Sequence, residues 1–208
     1  MSKQQHTPDS PAPEDLEADL LPPAEGTGKL LQRDYWGVIG NCQNGPRHVA
    51  RLVRERFWEF PPPELVKFTR CDGSDQPLAV GDEMDVEIRM AGTFRVRILH
   101  MDENSVTIGT VKGHPEAGRI TFGAYRNPRG DVVFHIRSIA RSGGRMQLLG
   151  FKALGEAMQT NTWTDFINRI SACAGSGVIG EIRAETQERD DDEIEEDNIS
   201  PTFIARGD

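Results

Sequence analysis

The chain has 208 residues, 37% of them apolar, which is enough to bury one good core but not two large ones. Its 33 acids and 24 bases give a net charge of −9, but the surplus sits at the ends: residues 1–30 carry −4, residues 180–208 carry −8, and the body between is left at +3. So weakly basic a body, opposed by acidic flanks, argues against nucleic acid as a partner, and the lack of any run of eighteen apolar residues argues against a membrane-spanning helix.

In chain order, residues 1–30 hold Pro8, Pro11, Pro13, Pro22 and Pro23 among Ser, Gln and acids, so a disordered N-terminal segment is expected there. No apolar stretch follows a basic start, which places the expected location in the cytoplasm. Tyr35 to Gly40 reads as a first strand. Asn44-Gly45-Pro46 then turns into a helix over Arg47 to about Glu59, with Asn44 placed to cap it and Val49, Leu52, Val53 and Phe57 forming its apolar stripe. Arg47, Arg51, Arg54 and Arg56 interleave with Glu55 and Glu59 as a solvated face, and Pro61-Pro62-Pro63 ends the helix.

Six strands follow at short intervals: Leu65 to Arg70, Glu83 to Met90, Thr93 to His100, Ser105 to Val111, Arg119 to Tyr125 and Val132 to Ile139. Met84, Val86, Ile88 and Met90 alternate with charged residues, as do Phe94, Val96 and Ile98, so each strand has one dry and one wet face. Beyond Gly143-Gly144 a helical pattern runs from about Arg145 to Ala172, with a rotation of its stripe near Thr160-Asn161-Thr162 that suggests a kink. From residue 180 onward the acids Glu188 to Asp197 predict a disordered, self-repelling tail, and Ile199 to Asp208 after them regains apolar residues in the layout of a docking peptide. Cys42, Cys71 and Cys173 are too few and too scattered for a disulfide framework or a zinc site. They are expected to be reduced thiols, at least two of them buried, and neither metal nor cofactor is expected.

The most informative segment joins the fourth and fifth of those six strands: Gly109-Thr110-x-x-Gly113-His114-Pro115-Glu116-x-Gly118-x-x-x-Phe122. Gly113, Pro115 and Gly118 hold His114 and Glu116 in defined positions. An imidazole and a carboxylate two residues apart suit an acid/base pair or half a metal site. The plainer alternative is a His114 bonded to its own loop and a Glu116 paired with Arg119.

With Val132-x-Phe134 and Arg141 downstream, the motif resembles a bacterial and plant family known only as a domain of unknown function, over roughly residues 33–172. The chain departs from that family at Ala140-Arg141-Ser142, where the family has Ser-Arg-Pro, so serine chemistry at position 140 is absent. The element order also resembles the START-like (SRPBCC) superfamily. That resemblance implies an α+β helix-grip domain over residues 31–179, a curved antiparallel sheet of about six to seven strands around a long C-terminal helix, flanked by disordered tails at 1–30 and 180–208. It implies binding of an apolar or aromatic molecule and supplies no catalytic residue.

Three functions are therefore expected, in this order. The first is binding of a hydrophobic or aromatic, lipid-like small molecule between Met84, Val86, Ile88, Phe94, Val96, Ile98 and Phe134 of the sheet and Phe151, Leu154, Met158 and Phe166 of the helix. His114, Glu116 and Arg141 would line its polar mouth. The same apolar residues, at these periods, also suit a filled core. The second is a cyclase, hydrolase or isomerase with His114 as general base and Glu116 or Arg141 as its orienter, and with His135 as a further candidate; binding ranks ahead of catalysis. The third is a protein-interaction module acting through the acidic tail.

Overall fold

Period-two alternation with mostly short Gly- and Asn-containing turns between runs leaves the chain little choice but an antiparallel meander, and eight strands form among the described residues. The computed structural model describes residues 17, 19–144 and 152–190, and of residues 152–157 only the backbone. The strands are β1 (Thr27–Ile39), β2 (Val66–Arg70), β3 (Glu83–Ile88), β4 (Gly92–Met101), β5 (Ser105–Thr110), β6 (Glu116–Arg126), β7 (Val132–Ser142) and β8 (Val178–Arg189). They make one sheet in the order β2-β3-β4-β5-β6-β7-β1-β8, and neighbouring strands run antiparallel. Two helices pack on one face: α1 (Gly45–Arg56) against β5 to β7, and α2 (Lys152–Ala174) against β1, β7 and β8. The architecture is α+β, as expected.

The strand count exceeds the expected six to seven, and the element responsible is β8. It occupies the first part of the stretch expected to be a disordered tail and pairs along β1 from Leu30↔Arg189 to Ile39↔Val178. An edge strand needs ladder hydrogen bonds and a little apolar cover rather than a dry face. Most of its side chains are exposed, so an acid-rich composition hides it. The helix before it is shorter than expected, starts at Lys152, continues unbroken through Thr160-Asn161-Thr162, and is not the last element. The tail residues 191–208, with the docking-peptide pattern of Ile199 to Asp208, lie outside the described residues.

At the other end, β1 starts at Thr27, ahead of the expected Tyr35 and inside the segment expected to be disordered. Leu20 bridges Val111, and a 3-10 turn over Pro23–Glu25 packs on β6 and β7. The Asn44 side chain makes no capping hydrogen bond; Gly45, with φ +74°, starts the helix instead. Cys71 and Cys173 are exposed and Cys42 half-buried, against the expectation of two buried thiols. No helix among the described residues is long and apolar enough to cross a membrane.

The inner face of the sheet and the two helices share one aromatic core. Phe57, just past α1, meets Phe122 edge-on at 5.2 Å and Phe166 of α2 at 5.4 Å, and Phe134 stacks on Phe166 at 5.9 Å. Each of these rings is fully buried and worth roughly 3–5 kcal/mol against truncation to alanine.

Candidate functional site

The aromatic core fills only part of the space between sheet and α2. Beside it lies a cavity of about 330 Å³. Its walls come from β2 (Val66, Phe68), β3 (Val86, Ile88), β4 (Phe94, Val96), β5 (Ile108), β6 (Ile120, Phe122) and β7 (Ser138, Ala140), closed over by Met158, Gln159, Thr162 and Trp163 of α2. Val66 and Ala140 sit five strand spacings apart, about 24 Å in a flat sheet, so one cavity touches both only because the sheet curls.

Of the residues expected at the pocket, Val86, Ile88, Phe94, Val96, Met158, His114 and Glu116 line the cavity. Met84, Ile98, Phe134 and Phe166 do not. They share the inner face but are at most 1% exposed, packed into the solid aromatic core next door. Phe151 and the side chain of Leu154 lie outside the described residues. Arg141 is absent from the cavity: alternation along β7 puts it opposite Ala140, and its Nη1 donates to the Gly28 carbonyl at 2.7 Å.

The loop before β6 places the two ionisable side chains. Gly113 has φ +97°, a conformation that suits glycine, and a Cβ on Gly118 would come within 2.2 Å of the Ile139 carbonyl oxygen, so β6 and β7 approach closely where the loop ends. Thr110 Oγ1 ties the same corner, accepting from the Gly118 N–H at 3.0 Å. His114, 8% exposed, is held through Nδ1, which lies 3.0 Å from both the N–H and the carbonyl oxygen of Glu116. It either accepts from the one or donates to the other, and the far edge of the ring is left to the cavity, where Phe94 meets it at 5.4 Å. Burial pushes His114 below its ordinary pKa, partly offset by the charge and backbone of Glu116, so the imidazole is neutral at pH 7.

The backbone of Glu116, rather than its carboxylate, therefore orients His114. The carboxylate turns elsewhere: Gln159 Nε2 donates to Oε2 at 2.7 Å, and Arg33 Nη1 lies 3.5 Å from Oε1. Arg33 was not considered from sequence; β1 begins earlier than expected and carries it to this corner.

Sequence reasoning missed Ser138, Gln159, Thr162 and Arg33. Met158, Gln159, Thr162 and Trp163 recur at one helix face, which is the signal that could have found them. Polar members of an amphipathic helix read as solvent-facing by default. It also missed Asp34, which with His135 and Arg137 forms a buried cluster apart from the cavity. Asp34 Oδ1 accepts from His135 Nε2 at 2.7 Å and Arg137 Nε at 2.6 Å, while Oδ2 accepts from Gln32 at 2.7 Å. Burial works to raise the Asp34 pKa, but these hydrogen bonds and the Arg137 charge hold it well below the carboxylate range. His135 does not line the cavity.

The family model described as Domain of unknown function (DUF1990) matches residues 32–169. None of the curated proteins matches the chain by sequence. Among solved structures, ginseng major latex-like protein 151 from Panax ginseng is 15% identical, with a TM-score of 0.50 over 71% of this chain and 99% of that one. The di-domain ARO/CYC StfQ from the steffimycin biosynthetic pathway is 10% identical, TM-score 0.49, covering 71% of this chain and 51% of that one. Hypothetical protein jhp0584 from Helicobacter pylori is 8% identical, TM-score 0.48, covering 83% and 99%. At such identities the ginseng protein speaks for the fold alone.

Proposed function

The chain belongs to the family described as Domain of unknown function (DUF1990), and from that premise we propose that it binds a hydrophobic or aromatic small molecule in the cavity between the sheet and α2. The observation that carries this reading is the cavity itself. Interiors pack with few voids larger than a water, yet here a volume of about 330 Å³ is walled by Val, Ile and Phe side chains beside a fully packed aromatic core. The energetics are adequate. Hiding about 200 Å² of apolar ligand surface and a similar wall area is worth about 10 kcal/mol at roughly 25 cal/mol per Å². Subtracting about 4 kcal/mol for lost translational and rotational freedom leaves about 6 kcal/mol, a dissociation constant of about tens of micromolar from burial alone.

The test is native mass spectrometry of the protein purified from its own host, followed by denaturing extraction of whatever is released. A stoichiometric apolar or aromatic compound is the expected result. A clean unliganded mass, with no thermal shift across a lipid and aromatic panel, refutes the reading.

A further inference from the structure

The cavity is apolar, but two oxygen atoms on its lining residues have no partner among the described residues. Ser138 Oγ, on a residue 7% exposed, and Gln159 Oε1 are both buried without a partner, and both residues line the cavity, one from β7 and the other from α2. The orientation of the Gln159 amide follows from its neighbour. The Glu116 carboxylate can only accept, so the amide must turn its NH₂ to Oε2, which leaves Oε1 as a bare acceptor on the other side. An orphaned buried acceptor costs roughly 1–3 kcal/mol, so two such atoms on one cavity call for a partner.

From this pair, and resting on the proposed binding function, we infer that the ligand is a neutral molecule with a hydroxyl group on its apolar body. A hydroxyl is both donor and acceptor: its proton satisfies Gln159 Oε1, and its oxygen accepts from the Ser138 hydroxyl or from a His114 Nε2–H. A carboxylate fits poorly. It has no proton to offer Gln159 Oε1, and it would add a second negative charge at the end of the cavity where Glu116 already sits. Arg33 is engaged with Glu116, Arg119 alternates along β6 with Ile120 and Phe122, which face the cavity, and Arg89, at the rim, is exposed and points Nη1 at the Glu64 carbonyl at 3.4 Å. A hydrocarbon fills the volume but leaves both orphans unsatisfied.

The experiment compares 2-naphthol, 2-naphthoate and naphthalene on the full chain by calorimetric titration at pH 7, then repeats it with Ser138→Ala and Gln159→Met. The expected result is 2-naphthol binding about tenfold more tightly than naphthalene, 2-naphthoate binding weakest, and the naphthol-to-naphthalene ratio falling toward one in either variant. Naphthalene or naphthoate binding as well as naphthol overturns the inference while leaving the binding function standing; a water bridging the two orphans would give that outcome. If none of the three binds, the binding reading itself fails and the inference falls with it.

Discussion

Replacing Ala140 with leucine decides whether the space beside the aromatic core is a cavity or a packing detail. Ala140 is 5% exposed and projects from β7 into that space. Leucine adds three carbons, worth about 0.8 kcal/mol each when moved from water into an apolar void, or about 2.4 kcal/mol in all. Fixing the leucine rotamer takes back about 0.5–1 kcal/mol, leaving a net stabilisation of about 1.5 kcal/mol. For a chain of this size that raises Tm by about 3–6 °C. Because the added group occupies the ligand's volume, the same variant should bind 2-naphthol at least tenfold more weakly. Calorimetric melting and titration on one preparation read both quantities. A filled core predicts the opposite stability change, overpacking by about 1–3 kcal/mol, so a lowered Tm would refute the reasoning.

Asp34→Ala should cost about 3–5 kcal/mol at pH 7, since it leaves Arg137 and His135 buried beside a lost carboxylate. The Asp34 pKa is depressed on folding, so its contribution is present above about pH 4 and is lost as pH falls toward the lower folded value. The gap between wild type and variant in urea melts should therefore narrow from pH 7 to pH 3, and a constant gap would contradict the assignment. Deleting residues 178–208 removes β8 and bares the edge of β1 from Leu30 to Ile39. Light scattering should then show self-association through that edge, and a monomer with unchanged Tm would show that β8 contributes nothing to the sheet.

How far the fold was legible depended on whether a residue's role left a periodic trace. β3 and β4 alternate cleanly because one face is dry, and α1 shows its stripe for the same reason. β8 lies at an edge with most side chains in water, and the first half of β1, with Lys29, Gln32, Arg33 and Asp34, looks like loop because its polar side chains meet partners far away in sequence. The site divided in the same way. His114 and Glu116 stood out because glycine and proline around them serve backbone needs that show in sequence. Gln159 and Ser138 did not, because what makes them notable is the lack of a partner, which only the folded arrangement reveals. Met84, Ile98, Phe134 and Phe166 were indistinguishable from cavity wall because alternation reports the face of a sheet and not the depth along it.

The place of β1 in the sheet order has a consequence for how the chain is made. Of the described strands it is synthesised first, yet its neighbours are β7 and β8: Thr27 pairs with Ser142 across 115 residues, and Leu30 with Arg189 across 159. Strands β3 to β7 are joined by short turns and can zip up as each appears, whereas β1 must close very long loops before any contact rewards it, which is the slow step in sheets of high contact order. At about 5–20 residues per second, roughly 8–30 seconds separate the emergence of Ile39 from that of Arg189. Until β7 emerges β1 has neither neighbour, and until β8 follows its second edge stays unpaired, so β1 is where a nascent chain is most open to chaperone capture and to pairing with a neighbouring copy.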